Sequence, residues 1–381
     1  MSSQVLFADL RARNNESLPA KIGRLLKAAE LERAIKKGGL AAVKIHFGER
    51  GNTAFVRPVL VRPVVDAVRE AGGKPFLTDS GTLYAGSRGN AVDHLATAVL
   101  NGFAYPVVGA PLIVADGLDG RDEEAVAVNL KNTREAYVAS AVARAASFVS
   151  VAHFKLHEVS GFGGAIKNTG MGGASRRGKM AQHSGMAPKV DAGKCVGCGV
   201  CRDQCLYGAI RLEERSPEAA RPSDDASKIA VVNPELCVGC GGCLHACPQQ
   251  AMSIVFEKDL RLFMERMVEY AVAALKGKER RCLFVNFLVQ ISPACDCHPF
   301  SDAPIVPDIG VTASTDPVAV DQASVDLLNA QCPLHSSCLE NAAEASSDKI
   351  KAVYPRIPWE HQLEYAEELG LGSRAYELLQ L

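Results

Sequence analysis

The chain has 381 residues, which is more than one small domain needs and predicts two or three domains. Its 42 Lys and Arg against 43 Asp and Glu give a net charge of −1, so there is no basic excess to attract nucleic acid or an anionic membrane. No basic start precedes an apolar leader, and the most apolar stretch, CLFVNFLVQI, is far shorter than the roughly 20 residues of a spanning helix. We expect a cytoplasmic protein with no nucleic-acid partner and no membrane span.

Strand and helix patterns alternate in the first half of the chain. Strands are predicted at LAAVKIHFG, KPFLTDSG, PLIVADG and FVSVAHFK, and helices at VRPVLVRPVVDAVREAGG, AVDHLATAVLNGF and TREAYVASAVARAAS. This alternation is typical of a mostly parallel sheet with helices on both faces. The sequence therefore predicts an α/β domain whose first part spans residues 1–187.

Two cysteine runs with the same C-x2-C-x2-C-x3-C spacing follow. The first run is Cys195, Cys198, Cys201 and Cys205, and the second is Cys237, Cys240, Cys243 and Cys247. This duplicated unit resembles the bacterial two-cluster ferredoxin, which implies two [4Fe–4S] clusters. In that pattern the fourth cysteine of each run ligates the other cluster. One cluster would take Cys195, Cys198, Cys201 and Cys247, and the other Cys237, Cys240, Cys243 and Cys205.

The ferredoxin-like module is predicted to be an α+β unit spanning residues 188–256. Between its two runs lies the polar segment EERSPEAARPSDDASK, which predicts a surface loop. Leu206 follows the first run where Pro248 follows the second, a departure that removes no ligand. Zinc bound by four cysteines is the alternative, but zinc sites lack this paired spacing.

The α/β pattern resumes over residues 257–381. A helix is predicted in LRLFMERMVEYAVAALKG, strands in RCLFVNFLVQIS and IGVTAS, and a further helix begins at Pro317. We therefore expect one α/β domain with the module inserted into it, two separate α/β domains being the alternative.

Polar side chains follow the predicted strands, where ligands bind in open α/β sheets. The residues at these strand ends are His46, Glu49, Asp79, Asp116, His153, Lys155, His157, Asp296 and Asp316. The alternative is that strand-to-helix loops are polar in any case and that Asp often caps helices. As a set they favour a site, for which the candidate catalytic residues are His46, His153, Lys155, His157 and Asp296.

A long Gly-rich segment, from HFKLHEVSGFGG to GKMAQHSG, is dense in His and Lys and is typical of a binding loop. Its GASRRGKM stretch matches G-x-x-x-x-G-K, but Met180 replaces the hydroxyl that would bind Mg²⁺, so a nucleotide-binding loop is not predicted. Backbone amides can still hold an anion here. Lys167, Asn168 and Lys179 are the candidate cofactor-binding residues.

Five cysteines lie outside the two runs. Cys295 and Cys297 flank Asp296 and are candidate ligands of a third metal site, although a turn is required before both can face one ion. They also fit a redox-active thiol pair, or one packed and one idle cysteine. Cys282 opens an apolar strand and is expected to be buried. Cys332 and Cys338, with His335 between them, are capable of binding a metal.

The chain also resembles the domain-of-unknown-function 362 family. The resemblance rests on VKIHFGERGNTAFVRP, TDSGTLYAGSRGNAVDH, HFKLHEVSGFGGAIKNTGMG and ACDCHPFSDAPIVPDIGVTASTDPVAVD. It implies a bacterial or archaeal iron–sulfur protein with an uncharacterised α/β domain. A more distant likeness to the lactate racemase family, also rich in His and Lys at a metal-cofactor site, concerns the fold.

These observations together predict an iron–sulfur oxidoreductase. Its two clusters, with potentials near roughly −400 mV, would relay single electrons to a metal or small-molecule site at the strand ends. The partner would be a redox protein or a small-molecule substrate. The alternatives are an electron-transfer or scaffold subunit without catalysis, and a factor that assembles iron–sulfur or metal cofactors.

Overall fold

The structure, a computed structural model, describes residues 3–12, 15–83, 86–184, 187–215, 227–254, 259–339 and 347–381. Most of the predicted loop between the cysteine runs, and the last two residues of the predicted module, lie outside the described residues. Across the described ranges, no helix is long and apolar enough to cross a membrane.

The described residues form the following strands, in chain order. They are β1 Ser3–Asp9, β2 Leu40–Ile45, β3 Lys74–Asp79, β4 Leu112–Val114, β5 Glu123–Ala127, β6 Glu135–Ala139, β7 Ser147–His153, β8 Lys155–His157, β9 Gly161–Gly163, β10 Lys189–Val190, β11 Ile210–Glu214, β12 Lys228–Val232, β13 Met252–Ser253, β14 Cys282–Leu288, β15 Gly310–Ser314 and β16 Tyr376–Gln380.

The helices are numbered in the same way. They are α1 Leu18–Ala28, α2 Leu31–Ala34, α3 Pro58–Glu70, α4 Ala91–Leu100, α5 Tyr105–Val108, α6 Ser140–Arg144, α7 Ala165–Gly173, α8 Arg176–Ser184, α9 Val200–Asp203, α10 Gly242–Ala246, α11 Leu260–Leu275, α12 Pro317–Asn329, α13 Lys349–Val353 and α14 Glu360–Glu368.

One large sheet organises the fold, with eight strands in the order β16-β1-β15-β14-β7-β2-β3-β4. Neighbouring strands are parallel except at β15, which runs antiparallel to both β1 and β14. The predicted α/β class with a mostly parallel sheet is confirmed. Strands from before and after the cysteine runs pair directly, since β14 lies beside β7.

Helices cover both faces of this sheet, as its nearly continuous apolar strands require. On one face, α1 and α3 pack Ile22, Leu25 and Val64 against the centre of the sheet. On the other face, α11 and α12 present small residues such as Ala274 and Ala323. Small residues let α11 and α12 approach the sheet closely. Helix α7 lies beside them, because it packs on α11.

The order of the strands creates a switch point beside β2. From β2 the chain proceeds outward to β3 and β4, and then returns to place β7 on the other side of β2. The connections on the two sides therefore diverge beyond the carboxyl ends of β2 and β7. Ligands bind in such crevices of open α/β sheets.

One predicted helix is wrong in its first half. TREAYVASAVARAAS contains β6, which pairs with β5 antiparallel, and only the short helix α6 follows. The Ala-rich composition favours a helix, but Ala136 and Val138 alternate with more exposed neighbours and bury one face in the core. Packing against the sheet outweighs the weak helix propensity.

The cysteine runs form a small unit of their own, which we call the cysteine module (residues 187–215 and 227–254). It contains two short antiparallel pairs, β10 with β13 and β11 with β12. Each run contains a short helix, α9 or α10, whose N-cap glycine has a positive φ of 80° at Gly199 and 67° at Gly241. The left-handed conformation suits glycine and is repeated in both halves.

Candidate functional site

A cavity lies beyond the carboxyl ends of β2, β3 and β7, at the switch point. We call it the strand-end cavity. Its floor is formed by the ends of these strands, and one side is formed by α7 and α8. The loop after β14 contributes two cysteines. Eight residues predicted for a site line this cavity: His46, Lys155, His157, Lys167, Asn168, Lys179, Cys295 and Cys297.

Five cationic side chains line the strand-end cavity: Lys44, Arg88, Lys155, Lys167 and Lys179. Burial lowers the pKa of Lys44, and it lowers the pKa of Lys179 to about 8. The Lys179 ammonium donates to Ser80 and to the carbonyl of Ala174, the latter at 3.0 Å. These cations favour small anionic ligands over cations.

Asp79, at the end of β3, balances part of this positive charge. Its carboxylate lies 3.0 Å from Lys44 Nζ and 3.6 Å from an Arg88 nitrogen. Burial on its own would raise the pKa of Asp79, but Lys44 and His94 hold it well below its usual value. Asp79 is therefore an anionic anchor for the cations rather than an acid available at neutral pH.

Lys44 and Asn168 tie α7 to the sheet. The Lys44 ammonium donates to Asn168 Oδ1 at 2.8 Å, and the Asn168 amide donates to the Lys44 carbonyl at 3.1 Å. The same amide donates to Ser150 on β7 at 2.8 Å. Asn168 therefore positions the helix that carries Lys167. Lys44 was missed from the sequence, although a lysine inside an apolar strand was a usable signal.

The segment Cys295–His298 forms a tight turn, which we call the thiol turn. The His298 backbone N–H donates to the Cys295 carbonyl at 3.1 Å. The sequence indicated that a turn was needed before both thiols could face one place, and this turn directs both into the strand-end cavity. Asp296, between them, is fully buried on the other side.

Asp296 and His153 form a buried pair behind the cavity wall. His153 Nδ1 lies 2.8 Å from Asp296 Oδ1, and His153 Nε2 lies 2.7 Å from the Val289 carbonyl. Burial would raise the pKa of Asp296, but His153 and Lys155 lower it further than burial raises it. Both ring nitrogens of His153 therefore lie within hydrogen-bond distance of an oxygen.

His153 and Asp296 are therefore not among the residues that line the strand-end cavity. His153 was a candidate catalytic residue, but both of its ring nitrogens are engaged in hydrogen bonds behind the wall. Asp296 lies 3.1 Å from Lys155 Nζ and holds the thiol turn against the end of β7. The pair orients the groups that line the cavity.

His157 and Lys167 face Cys295. His157 Nδ1 accepts from the backbone N–H groups of Val159 and Ser160 at 3.1 and 3.2 Å, which places the ring proton on Nε2. Lys167 Nζ lies 3.7 Å from the Cys295 sulfur. Burial would lower the pKa of Lys167, but the charges of Cys295 and Cys297 raise it overall. Cys295 thus has two hydrogen-bond donors beside it.

Two neutral histidines complete the cavity wall. His46 Nδ1 accepts from the Gly48 N–H at 3.0 Å, and burial lowers the pKa of His46 to about 3. His183, on α8, also has its pKa lowered by burial to about 3. Sequence reasoning missed His183 as a site residue, although it lies in the Gly-rich segment. Both imidazoles are uncharged at neutral pH.

Three other strand-end residues do not line the cavity. Glu49 holds Arg88 in place at 3.1 Å, and buried Asp116 accepts from the Gly81 N–H at 2.8 Å. Asp316 caps α12 and lies at the opposite edge of the sheet, because β15 runs antiparallel. The strand-end residues were expected as a set to form a site, and Asp316 does not join the others there.

Two smaller cavities lie within the cysteine module, with empty volumes of about 330 and 380 Å³. The cysteines that line the first are Cys195, Cys198, Cys201 and Cys247. The cysteines that line the second are Cys205, Cys237, Cys240 and Cys243. Each group of four is the group that the ferredoxin-like crossover predicts for one cluster.

Backbone N–H groups donate to cysteine sulfurs in the two module cavities. The Ala209 N–H donates to Cys205 Sγ at 3.3 Å, and the Ala251 N–H donates to Cys247 Sγ at 3.2 Å, one in each repeat. Burial raises the pKa of Cys243 to about 12, so this thiol would be deprotonated only beside a cation. N–H donors to sulfur and apolar walls suit an iron–sulfur cluster.

No group of three or more His, Cys, Asp or Glu side chains is arranged to hold a metal ion within the described part of the chain. A four-iron cluster fills the space between its thiolates, which do not converge on one point as the ligands of a single ion do. Four cysteines line each of the two module cavities, which is the number of thiolates that a four-iron cluster takes. Cys332 and Cys338, in contrast, are exposed.

The cysteine module lies against the strand-end cavity. His245 Nε2 is 2.8 Å from the Thr82 carbonyl, and both Thr82 and Leu83 line the strand-end cavity. Leu83 also packs in the apolar cluster of the module, with Cys195 and Cys201. A single loop thus touches both regions.

The chain is similar to one protein family and to solved structures. A family model described as "Domain of unknown function (DUF362)" matches residues 41–326. No curated protein sequence matches the chain. One solved structure that matches the chain is the lactate racemase apoprotein from Thermoanaerobacterium thermosaccharolyticum, with a TM-score of 0.40 and 10% identity over 84% of this chain. The chain spans 56% of the length of that structure.

Proposed function

Since this chain belongs to the DUF362 family, whose description names no reaction, we propose its function from its own residues: it is an iron–sulfur oxidoreductase. Two [4Fe–4S] clusters in the cysteine module would relay low-potential electrons to the strand-end cavity, where a small anionic molecule reacts. The observation that carries the proposal is the division of eight cysteines between two module cavities, four to each.

The residues proposed to hold the clusters follow the crossover. Cys195, Cys198, Cys201 and Cys247 would hold one cluster, and Cys237, Cys240, Cys243 and Cys205 the other. Each bound cluster would supply reversible one-electron chemistry at low potential. In this proposal residues 188–256 are a module inserted into the α/β domain, because strands from both sides of it share one sheet.

The contact between the two regions supports electron delivery to the strand-end cavity. Leu83 packs beside the cysteines of the module and also lines the strand-end cavity. Arg176 lies close to Gly241 in the second run and donates to the Gly89 carbonyl of the α/β domain. These contacts hold the module in one position against the cavity.

The strand-end cavity favours an enzyme over an electron carrier that only docks on a partner. A docking platform needs an exposed surface, whereas this cavity gathers buried lysines, neutral histidines and two thiols at a switch point. Groups with shifted pKa values that converge in a cleft are typical of active sites. In this proposal Lys155, Lys167 and Lys179 bind the anionic part of the substrate, and an external redox protein supplies the electrons.

The test is anaerobic purification of the full chain with iron and acid-labile sulfide analysis. Two clusters require about eight iron and eight sulfide per chain, with a low-temperature EPR signal after reduction. Stoichiometric zinc without iron would overturn the proposal. So would clusters that leave readily to an apo-protein acceptor, since that behaviour indicates cofactor delivery.

A further inference from the structure

The two thiols of the thiol turn share one cavity and belong to neither proposed cluster. Both are free, and Cys295 is buried while Cys297 is partly exposed. Adjacent cysteines in an extended strand would point to opposite sides, so the turn is what brings the two sulfurs to the same place. The turn is held by the Asp296 pair beneath it.

The two thiols differ in their surroundings. Cys295 lies beside Lys167 Nζ at 3.7 Å and beside the ring of His157, whose Nδ1 is occupied by backbone donors. A hydrogen bond from Cys297, followed by the charge of Lys167 and a hydrogen bond from His157, lowers the pKa of Cys295 well below its usual value. The same hydrogen bond raises the pKa of Cys297 well above its usual value.

A metal ion is poorly matched to this place. The two thiols are accompanied by Arg88, Lys155 and Lys167 in the cavity wall, and like charge opposes a bound cation. No third ligand completes a metal-binding group with Cys295 and Cys297 among the residues described. The cations instead favour a thiolate and an anionic substrate.

We propose that Cys295 and Cys297 form a redox-active dithiol that reduces small anionic disulfides, with Cys295 as the attacking thiolate and Cys297 as the resolving thiol. The inference deepens the proposed function, since it names the groups and the substrate class of the strand-end cavity. It rests on that function only for the source of electrons.

The substrate disulfide is reduced in two successive exchange steps. The Cys295 thiolate attacks one sulfur of the substrate, the substrate S–S bond breaks, and one substrate thiolate leaves with a proton from solvent. Cys297 then loses its proton, its sulfur attacks Cys295, and the second substrate thiol leaves with that proton. The resulting Cys295–Cys297 disulfide takes two electrons and one proton to return to the Cys295 thiolate and the Cys297 thiol. Two deliveries from a low-potential one-electron carrier supply the electrons.

The experiment uses the full chain, purified and reduced anaerobically, with dithiodiglycolate as a small anionic disulfide. After acid quenching and alkylation, mass spectrometry should find Cys295 and Cys297 protected together, with a mass decrease of two hydrogens. Reaction with neutral 2-hydroxyethyl disulfide should be slower by about tenfold or more, because the cations of the cavity attract the carboxylates. Equal rates would overturn the substrate class.

Single variants separate the two roles. Cys297→Ser should accumulate a mixed disulfide on Cys295, whereas Cys295→Ser should form no adduct in the cavity. Lys167→Met should move the pH profile of Cys295 alkylation upward, because one stabilising positive charge is lost. Cys332→Ser, at an exposed cysteine, is the control and should behave as the parent chain.

Iron content and the EPR spectrum of the same samples keep the two proposals apart. A reactive thiol pair in a chain without clusters would contradict the proposed electron relay and support the proposed dithiol. Intact clusters with no Cys295–Cys297 disulfide in the parent chain would overturn the dithiol. An adduct on Cys297 in Cys295→Ser, as fast as that on Cys295 in Cys297→Ser, would overturn the assigned roles.

Discussion

The cysteine module and the strand-end cavity gather reactive side chains in different ways. In the module, eight cysteines arrive from two short runs whose spacing is repeated. In the cavity, Lys44, Asp79, His157, Lys167 and Cys295 come from separate segments, brought together by the sheet. A local motif can be damaged one ligand at a time, whereas a cavity assembled by the fold depends on buried supports that are distant in sequence.

The largest expected effect tests the crossover in the module. Cys205→Ser should remove the cluster assigned to Cys237, Cys240 and Cys243, because its thiolate belongs to that cavity. Iron should fall by about half, to four per chain, and EPR should show the other signal intact. Cys198→Ser is the matched variant for the other cavity. If Cys205→Ser and Cys198→Ser lose the same signal, the crossover is wrong.

The next effect concerns the support beneath the cavity. Asp296→Ala leaves His153 and Lys155 buried without their carboxylate, which should cost about 3–5 kcal/mol of unfolding free energy. Urea unfolding of the reduced chain measures this loss. Asp302→Ala, at an exposed position of the same loop, should change stability by less than about 0.5 kcal/mol. Equal losses in both variants would contradict the supporting role of Asp296.

The boundary between the two regions should respond to a smaller change. Leu83→Ala removes a buried side chain that packs on the module, with an expected cost of about 2–4 kcal/mol. Limited proteolysis should then cleave within the module at a lower urea concentration than in the parent chain. Leu118→Ala, at an exposed leucine, is the control. Unchanged protection of the module would show that Leu83 does not hold the regions together.

The last expected effect is a pH dependence of stability. Asp321 accepts from the Ala165 and Ile166 N–H groups at the start of α7, at 2.7 and 2.9 Å. Burial raises the pKa of Asp321 to about 6, so the folded state holds a proton that the unfolded state releases near pH 4. This contribution to stability is fully present below pH 4 and is lost as the pH rises through 6.

Asp321→Asn removes this titration. The difference in unfolding free energy between parent and variant should therefore change between pH 4 and 6, by about 1.4 kcal/mol for each unit of the shift. Chemical unfolding at several pH values measures it. A difference that stays constant across this range would show that Asp321 is ionised in the folded chain at all these pH values.

Much of the fold follows from patterns along the chain. The apolar strands and amphipathic helices predicted the mostly parallel sheet, because burial on both faces demands continuous apolar strands. The failure at β6 has a tertiary cause, since pairing with β5 overrides the helix propensity of its alanines. The antiparallel direction of β15 could not be predicted from the sequence either. This direction places Asp316 at the edge of the sheet opposite the strand-end cavity.

The sequence by itself determined the grouping of eight cysteines, the strand ends from which polar residues would arise, and the need for a turn at Cys295. Those are local properties, set by spacing and by the period of a strand. Only the tertiary structure decided that Asp296 and His153 lie behind the wall, that Lys44 and His183 line the cavity, and that Leu83 joins it to the module. Burial and pairing between distant segments depend on which strands become neighbours, and spacing along one chain does not encode that order.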